Sequence, residues 1–261
     1  MANTDRVGLG LAIAGIAAGF GGGVLTARVA AQLVEQETGR VAASANAQVL
    51  RGQATRAGSA GEGELTRFKV PVTRSQPSLG PSDALVTVIE WCDLYGESCR
   101  KTDRLLSAAL ERHPGDVRRI FRHIAEPSAV AERAHELACV AHEHGKFWEL
   151  RKQLATHDAP PSLGELREHA SRIGLDWAPA ERALDRREHA GNIATDRALA
   201  ASLDVHRAPS IFVNGKRFEG EPSAQALDAM IDGELDRARE LLGTGAARDR
   251  IYAEIVRHAA R

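Results

Sequence analysis

The segment Val88–Leu106, VIEWCDLYGESCRKTDRLL, places two thiols around one turn. Cys92 closes an apolar, β-branched run, and Cys99 follows in a run with helical patterning. At a helix start, unpaired backbone N–H groups and the helix dipole favour negative charge and lower a cysteine pKa below its usual ~8.5. Such a thiolate attacks a disulfide sulfur, and a second cysteine resolves the mixed disulfide. Two arrangements are open to this pair. A Cys92–Cys99 bridge would close a ring around a turn that both residues border. Otherwise Cys92 is a small buried hydrophobe at a strand end and Cys99 is a lone thiol. Spacing alone does not fix the Cβ directions that decide between them.

The remaining candidates are weaker. Glu97, in the first helical turn, suits a helix start but would raise the pKa of a nearby thiol. Cys139 lies in AHELACVAHEHGKFW with His142 and His144. Only Cys139 and His142 share a helix face and no second ligand pair stands out, so no metal is expected and Cys139 reads as a buried thiol. His123 belongs to a strand-like run, and none of the histidines reads as catalytic.

The elements that must position the thiols follow from periodicity. RFKVPV reads as a short strand, SQPSLGPSD as a turn region and ALVTVIEW as a buried strand. A helix is predicted from Glu97 to about Arg112, then a strand at Val117–Ile124. A helical block follows: Ala129–His142, KFWELRKQLATH, a helix opened by the Ser162–Glu165 capping box, and one from Pro179 to about Leu203. PSIFVNGKRFEG reads as a hairpin turning at Asn214-Gly215, followed by a helix from Ser223 to Leu242 and a last short helix in ARDRIYAEIVRHAA. The order is strand, helix, strand, helical block, hairpin, helix: an α/β core with a helical insertion.

Ahead of that core, residues 7–27 run without a charge between Arg6 and Arg28. At ~1.5 Å rise per residue this length crosses a ~30 Å hydrocarbon core, so one transmembrane anchor is expected, with the bulk outside the cytoplasm. A cleaved secretory signal ending near Val29–Ala31 is the alternative, although an ordinary signal core is only ~7–15 residues. Residues 1–6 form a tail, and residues 28–66 a partly helical linker ending in RGQATRAGSAGEGE. The 261 residues carry a net charge of −1, with 43% hydrophobic and 26% charged residues. That composition suits a packed globular core and offers no basic field for nucleic acid.

Residues 67–242 resemble the DsbA-like branch of the thioredoxin superfamily, with the helical insertion at about 128–203 and residues 243–261 as a C-terminal helix. ALVTVIEWCDLYGESCR is similar to that family's strand and active-site turn, RRIFRHIAE to its next strand, GKFWEL to a motif of its insertion, and RAPSIFVNG to its cis-proline loop. The resemblance implies thiol–disulfide chemistry on protein or peptide substrates, no cofactor, and a periplasmic or other extracytoplasmic location. It implies a cis bond before Pro209, with Ala208 offering its backbone to substrate. It also exposes a departure, because Gly96 stands where the family's attacking cysteine belongs and Cys99 holds the resolving position. On this reading activity is at most atypical, through Cys99 with or without Cys92. The alternative is a non-catalytic peptide-binding module that uses the Ala208–Pro209 edge. A hydroxyl such as Ser98 acting in a glutathione-dependent enzyme is the outlying reading.

Overall fold

The computed structural model describes residues 66–125, 128–218 and 221–259. The anchor expected at residues 7–27 and the linker at 28–65 lie outside them. Among the described residues, no helix is long and apolar enough to cross a membrane.

The centre is a sheet in the order β1-β3-β2-β4-β5. Its strands are β1 (Ser78–Leu79), β2 (Val86–Cys92), β3 (Val117–His123), β4 (Ser210–Val213) and β5 (Lys216–Phe218). The first helix, α1 (Glu97–Arg112), joins β2 to β3, which pair in parallel from Val86↔Val117 to Cys92↔His123. Parallel pairing of consecutive strands needs a crossover connection, and α1 supplies it. β4 adds antiparallel to β2, and β5 to β4.

Every residue of β2 is buried, as suits a central strand covered on both faces. Val86 and Val88 face α1 and α7 (Ala224–Gly243), together with Leu106, Ala109, Leu227 and Ile231. The alternate residues Ile89 and Trp91 point the other way. They pack with Val70, Ile120, Leu203 and Phe212.

The insertion consists of α2 (Ala129–Glu143), α3 (Phe147–Leu154), α4 (Leu163–Arg172), α5 (Trp177–Arg186) and α6 (Ala190–Ser202). Its α2–α5 portion shares a core with Cys92, Leu94, Cys99 and Phe121, so the helical block closes over the disulfide end of the sheet. The capping box predicted at Ser162 and Glu165 opens α4.

Three local expectations need correction. RFKVPV is not a strand: Pro71 has no N–H to give a ladder, and the segment meets the sheet through an isolated bridge, Arg67↔Lys216. The helix expected from Pro179 to Leu203 is two helices, broken at Arg187, which caps α5 in the left-handed conformation. The C-terminal segment is a 3-10 turn (Arg248–Arg250) followed by α8 (Ile251–Ile255), so helix does not run through residues 243–261. The predicted turn at Asn214-Gly215 is present. Both residues take positive φ, as a two-residue hairpin turn demands. A Cβ on Gly215 would lie 2.5 Å from the Phe68 carbonyl oxygen, so this turn requires glycine.

Candidate functional site

Cys92 is the last residue of β2, and the chain turns through residues 93–96 to start α1 at Glu97. That reversal brings the Cys99 sulfur back onto the strand end, and Cys92 and Cys99 form a disulfide with Cα atoms 5.8 Å apart. Of the two arrangements the sequence leaves open, the bridge is the one formed; the reading of Cys92 as an unpaired hydrophobe is corrected. The turn is too short to separate the residues that border it, and α1 aims its third residue at β2.

The two sulfurs differ in access. Cys92 is fully buried, while Cys99 is 5% exposed. Cys99 lines an open cleft of about 490 Å³ with Asp93, Gly96, Glu97, Arg207 and Ala208. The backbone N–H of Asp93 donates to Cys99 Sγ at 3.1 Å.

Gly96 caps α1 at φ 89°, ψ 152°, with no side-chain hydrogen bond at the cap. Only glycine takes that φ without strain. Its N–H donates to the His157 carbonyl at 2.9 Å, tying the turn to the insertion. A Cβ there would meet nothing within 4 Å, so the constraint is one of backbone conformation and not of space. The sequence reads Gly96 as a missing cysteine; the structure gives the glycine a role of its own in the turn.

The bond between Ala208 and Pro209 is cis. Ala208 is half-buried on the wall that faces Cys99, and Pro209 is buried behind it. The loop is held by Ser210, whose hydroxyl donates to the Arg207 carbonyl at 2.7 Å, and by the pairing of Ser210 with Trp91. The structure thus brings Gly96, Cys99 and Ala208 to one cleft, with Cys92 directly behind.

Two polar systems lie beneath the disulfide, and sequence reasoning singled out neither. The first surrounds Glu90, two residues before Cys92 and on the same face of β2. Its carboxylate accepts from Arg119 Nε and Nη2 and from Arg151 Nη2, and Asp103 bridges the same two arginines. Burial alone would raise the Asp103 carboxyl, but the two guanidiniums outweigh it and hold it below its ordinary value. Two cations and two anions balance, which makes burial of this group tolerable.

The second is a linear chain. Asp93 Oδ1 bonds His135 Nε2 at 2.9 Å, the Nδ1 atoms of His135 and His123 are 2.9 Å apart, and His123 Nε2 is 3.4 Å from Cys139 Sγ. Burial, reinforced by the neighbouring His135, drives the His123 pKa well below the ordinary histidine value. Burial likewise pushes the Cys139 thiol up to about 12, so it stays protonated at neutral pH. The sequence pairs Cys139 with His142; the structure pairs it with His123, which enters from β3. Among the described residues, no cluster of His, Cys, Asp and Glu is set to hold a metal ion. Alternation along VRRIFRH puts His123 on the face of Arg119 and Phe121, but nothing in the sequence directs His135 toward it.

Comparison with known proteins supplies the family. A thioredoxin family model matches residues 73–233. Among curated proteins, the chain is 32% identical over 224 residues to the Na(+)/H(+) antiporter NhaA 3 of Salinispora tropica, covering 83% of this chain and 33% of that protein. It is 28% identical to the NhaA antiporter of Nitrosospira multiformis, over 60% of this chain and 26% of that one. The chain therefore spans a third or less of the length of these relatives. Similar solved structures include oxidised BdbD from Bacillus subtilis, with a TM-score of 0.59 and 21% identity over 66% of this chain and 98% of that one. A thioredoxin-like oxidoreductase from Silicibacter pomeroyi has a TM-score of 0.56 and 24% identity, covering 64% and 93%. Alpha-DsbA1 from Wolbachia pipientis has a TM-score of 0.59 and 18% identity, covering 66% and 96%.

Proposed function

Because the chain belongs to the thioredoxin family and has the fold of its DsbA-like branch, we propose that it exchanges disulfides with protein or peptide thiols through the Cys92–Cys99 pair. The observation that carries this reading is the bridge itself, buried at one sulfur and open to a cleft at the other.

The steps follow from access. A substrate thiolate enters along the cleft and attacks Cys99 Sγ, since Cys92 Sγ is screened by the core. The Cys92–Cys99 bond breaks, Cys92 leaves as a thiolate, and a mixed disulfide joins substrate to Cys99. A second substrate thiolate then attacks the substrate sulfur of that mixed disulfide. The products are a substrate disulfide and a Cys99 thiolate, which the α1 N-terminus and the Asp93 N–H stabilise. The substrate backbone lies against Ala208 at the cis-Pro209 edge. The spaced pair does the work of the usual closely set one, with Cys99 as the entry sulfur and Cys92 as the buried partner.

The working place is outside the cytoplasm, tethered through residues 7–27. Support comes from the charge-free run in the sequence, from a likeness to a periplasmic thioredoxin-like protein of Salmonella enterica, and from the partial match to Na(+)/H(+) antiporters.

Mixing the oxidised full-length protein with a dithiol peptide tests the reading. Stoichiometric peptide oxidation by the wild type, abolished in Cys99→Ser and in Cys92→Ser, is expected. Peptide that binds the wild type while all its thiols remain reduced would establish the binding module at the Ala208–Pro209 edge instead.

A further inference from the structure

The cleft at Cys99 is built from charged residues of both signs. Three carboxylates line it, Asp93, Glu97 and Asp158, and so do His206 and Arg207. The acids come from the turn after β2, the first turn of α1 and the loop after α3. The basic residues come from the loop that enters β4, immediately before Ala208.

Each acid is already matched. Asp93 Oδ1 accepts from the Leu94 N–H at 2.8 Å and lies 2.9 Å from His135 Nε2. Glu97 lies 3.0 Å from Lys101 Nζ, one turn along α1, and that ammonium holds its carboxyl below the ordinary value. Asp158 accepts from the Arg100 guanidinium at 3.0 Å. Lys101 and Arg100 are not part of the cleft wall, so the counter-charges stand outside it.

Arg207 is not matched. It is exposed, and among the described residues its guanidinium has neither an ion pair nor a hydrogen bond. His206 beside it reaches only Asp204, at 4.0 Å. The Arg207 backbone, by contrast, is fixed, because its carbonyl accepts from the Ser210 hydroxyl at 2.7 Å. A planar guanidinium is thus held one residue before Ala208 with its donors unused. Its fork of N–H groups fits a carboxylate through two parallel hydrogen bonds.

We propose that Arg207 selects substrates that carry an aspartate or glutamate close to the reacting cysteine. The guanidinium takes that carboxylate while the substrate backbone lies against Ala208. Glu97 and Asp158 give the recognition a direction, since a substrate acid turned toward them meets like charge. One flank of the cysteine therefore carries the favoured acid and the other does not. This names the substrate class of the exchange proposed above, and it rests on that reading for where the substrate lies.

Anisotropy titration of labelled peptides with the oxidised full-length protein tests the proposal. The peptides share one sequence in which serine replaces the reacting cysteine, so binding is read without exchange. One carries glutamate on the N-terminal flank, one on the C-terminal flank, and the third has glutamine on both. One of the two glutamate peptides should bind about fivefold more tightly than the glutamine peptide, as a single exposed ion pair allows. The advantage should shrink as salt is raised. Arg207→Gln should remove it, and Arg207→Glu should make the glutamine peptide the better ligand. Equal binding of all three peptides would overturn the proposal, and so would no binding at all or an advantage that survives in Arg207→Gln. Dithiol versions of the same peptides read the exchange separately. A glutamate preference with no thiol oxidised would sink the exchange and leave Arg207 as the reader of a bound peptide. Oxidation of all three at one rate, with equal binding, would keep the exchange and sink the selection.

Discussion

The amide of Asp93 donates to the sulfur of Cys99 at 3.1 Å, while the carboxylate of the same residue accepts from His135 on α2. One residue of the turn therefore serves the entry sulfur with its backbone and the interior with its side chain. A thiolate on Cys99 would meet this amide together with the unpaired N–H groups at the start of α1, whereas one on Cys92 would meet only core.

The first prediction follows from that asymmetry. In Cys92→Ser the remaining Cys99 thiol should react with a chromogenic aromatic disulfide at neutral pH at least about tenfold faster than the remaining Cys92 thiol in Cys99→Ser. Equal rates in the folded variants would mean that the two sulfurs are equivalent and the proposed direction of attack is wrong.

Gly96→Ala should lower stability by about 1–2 kcal/mol, because alanine at φ 89° is strained although its methyl group has room. Urea unfolding of the oxidised protein measures it. A neutral substitution would show that the turn relaxes, and would make a working cysteine at this position credible. On the strained geometry, Gly96→Cys gains no efficient second redox pair.

Acid should destabilise the fold through His123. Its folded-state pKa is held well below 6.5 by burial, while the unfolded chain takes up the proton near 6.5. The unfolded state thus binds more protons between those two values, and stability, fully present above 6.5, falls as pH drops through it. His169 is lowered in the same direction by its own burial and by His157. Urea midpoints from pH 8 to pH 5 should therefore fall less in His123→Gln than in wild type, without becoming flat. An unchanged slope would contradict the assignment.

Glu90→Gln should cost about 3–5 kcal/mol, since it leaves two buried guanidiniums facing the single carboxylate of Asp103. Adding Arg151→Met removes the surplus cation, so the double variant should be more stable than the two losses summed. Additive losses in denaturant titrations would show that the four groups do not act as a unit.

Much of this molecule can be read from sequence because its elements announce themselves locally. Helix α1 begins and ends where the apolar spacing of Leu105, Leu106 and Ala109 predicts. The hairpin is marked by Asn214-Gly215 and the α4 start by Ser162 and Glu165. What escapes notice is long-range. The break at Arg187 needs a left-handed residue that no glycine signals. Whether Cys92 and Cys99 point together is a matter of Cβ direction across a turn, which spacing leaves open. His135 meets His123 only because α2 packs over the end of β3, and the Glu90–Arg119–Arg151 group spans β2, β3 and α3. Contacts of that kind belong to tertiary packing and leave no periodic trace.

The N–H of Gly96 is held by the His157 carbonyl, and just beyond it Arg100 donates to Asp158. The stretch between the two sulfurs is therefore stitched to the insertion as well as clamped by its own bridge. Opening the bridge removes one of these restraints and keeps the other: Gly96 stays docked, Asp93 stays bonded to His135, and Leu94 and Tyr95 stay in the core. The cleft wall should therefore keep its shape when the bridge opens. On the proposed exchange, a substrate would meet the same surface on the oxidised and the reduced protein, and only the sulfurs would differ.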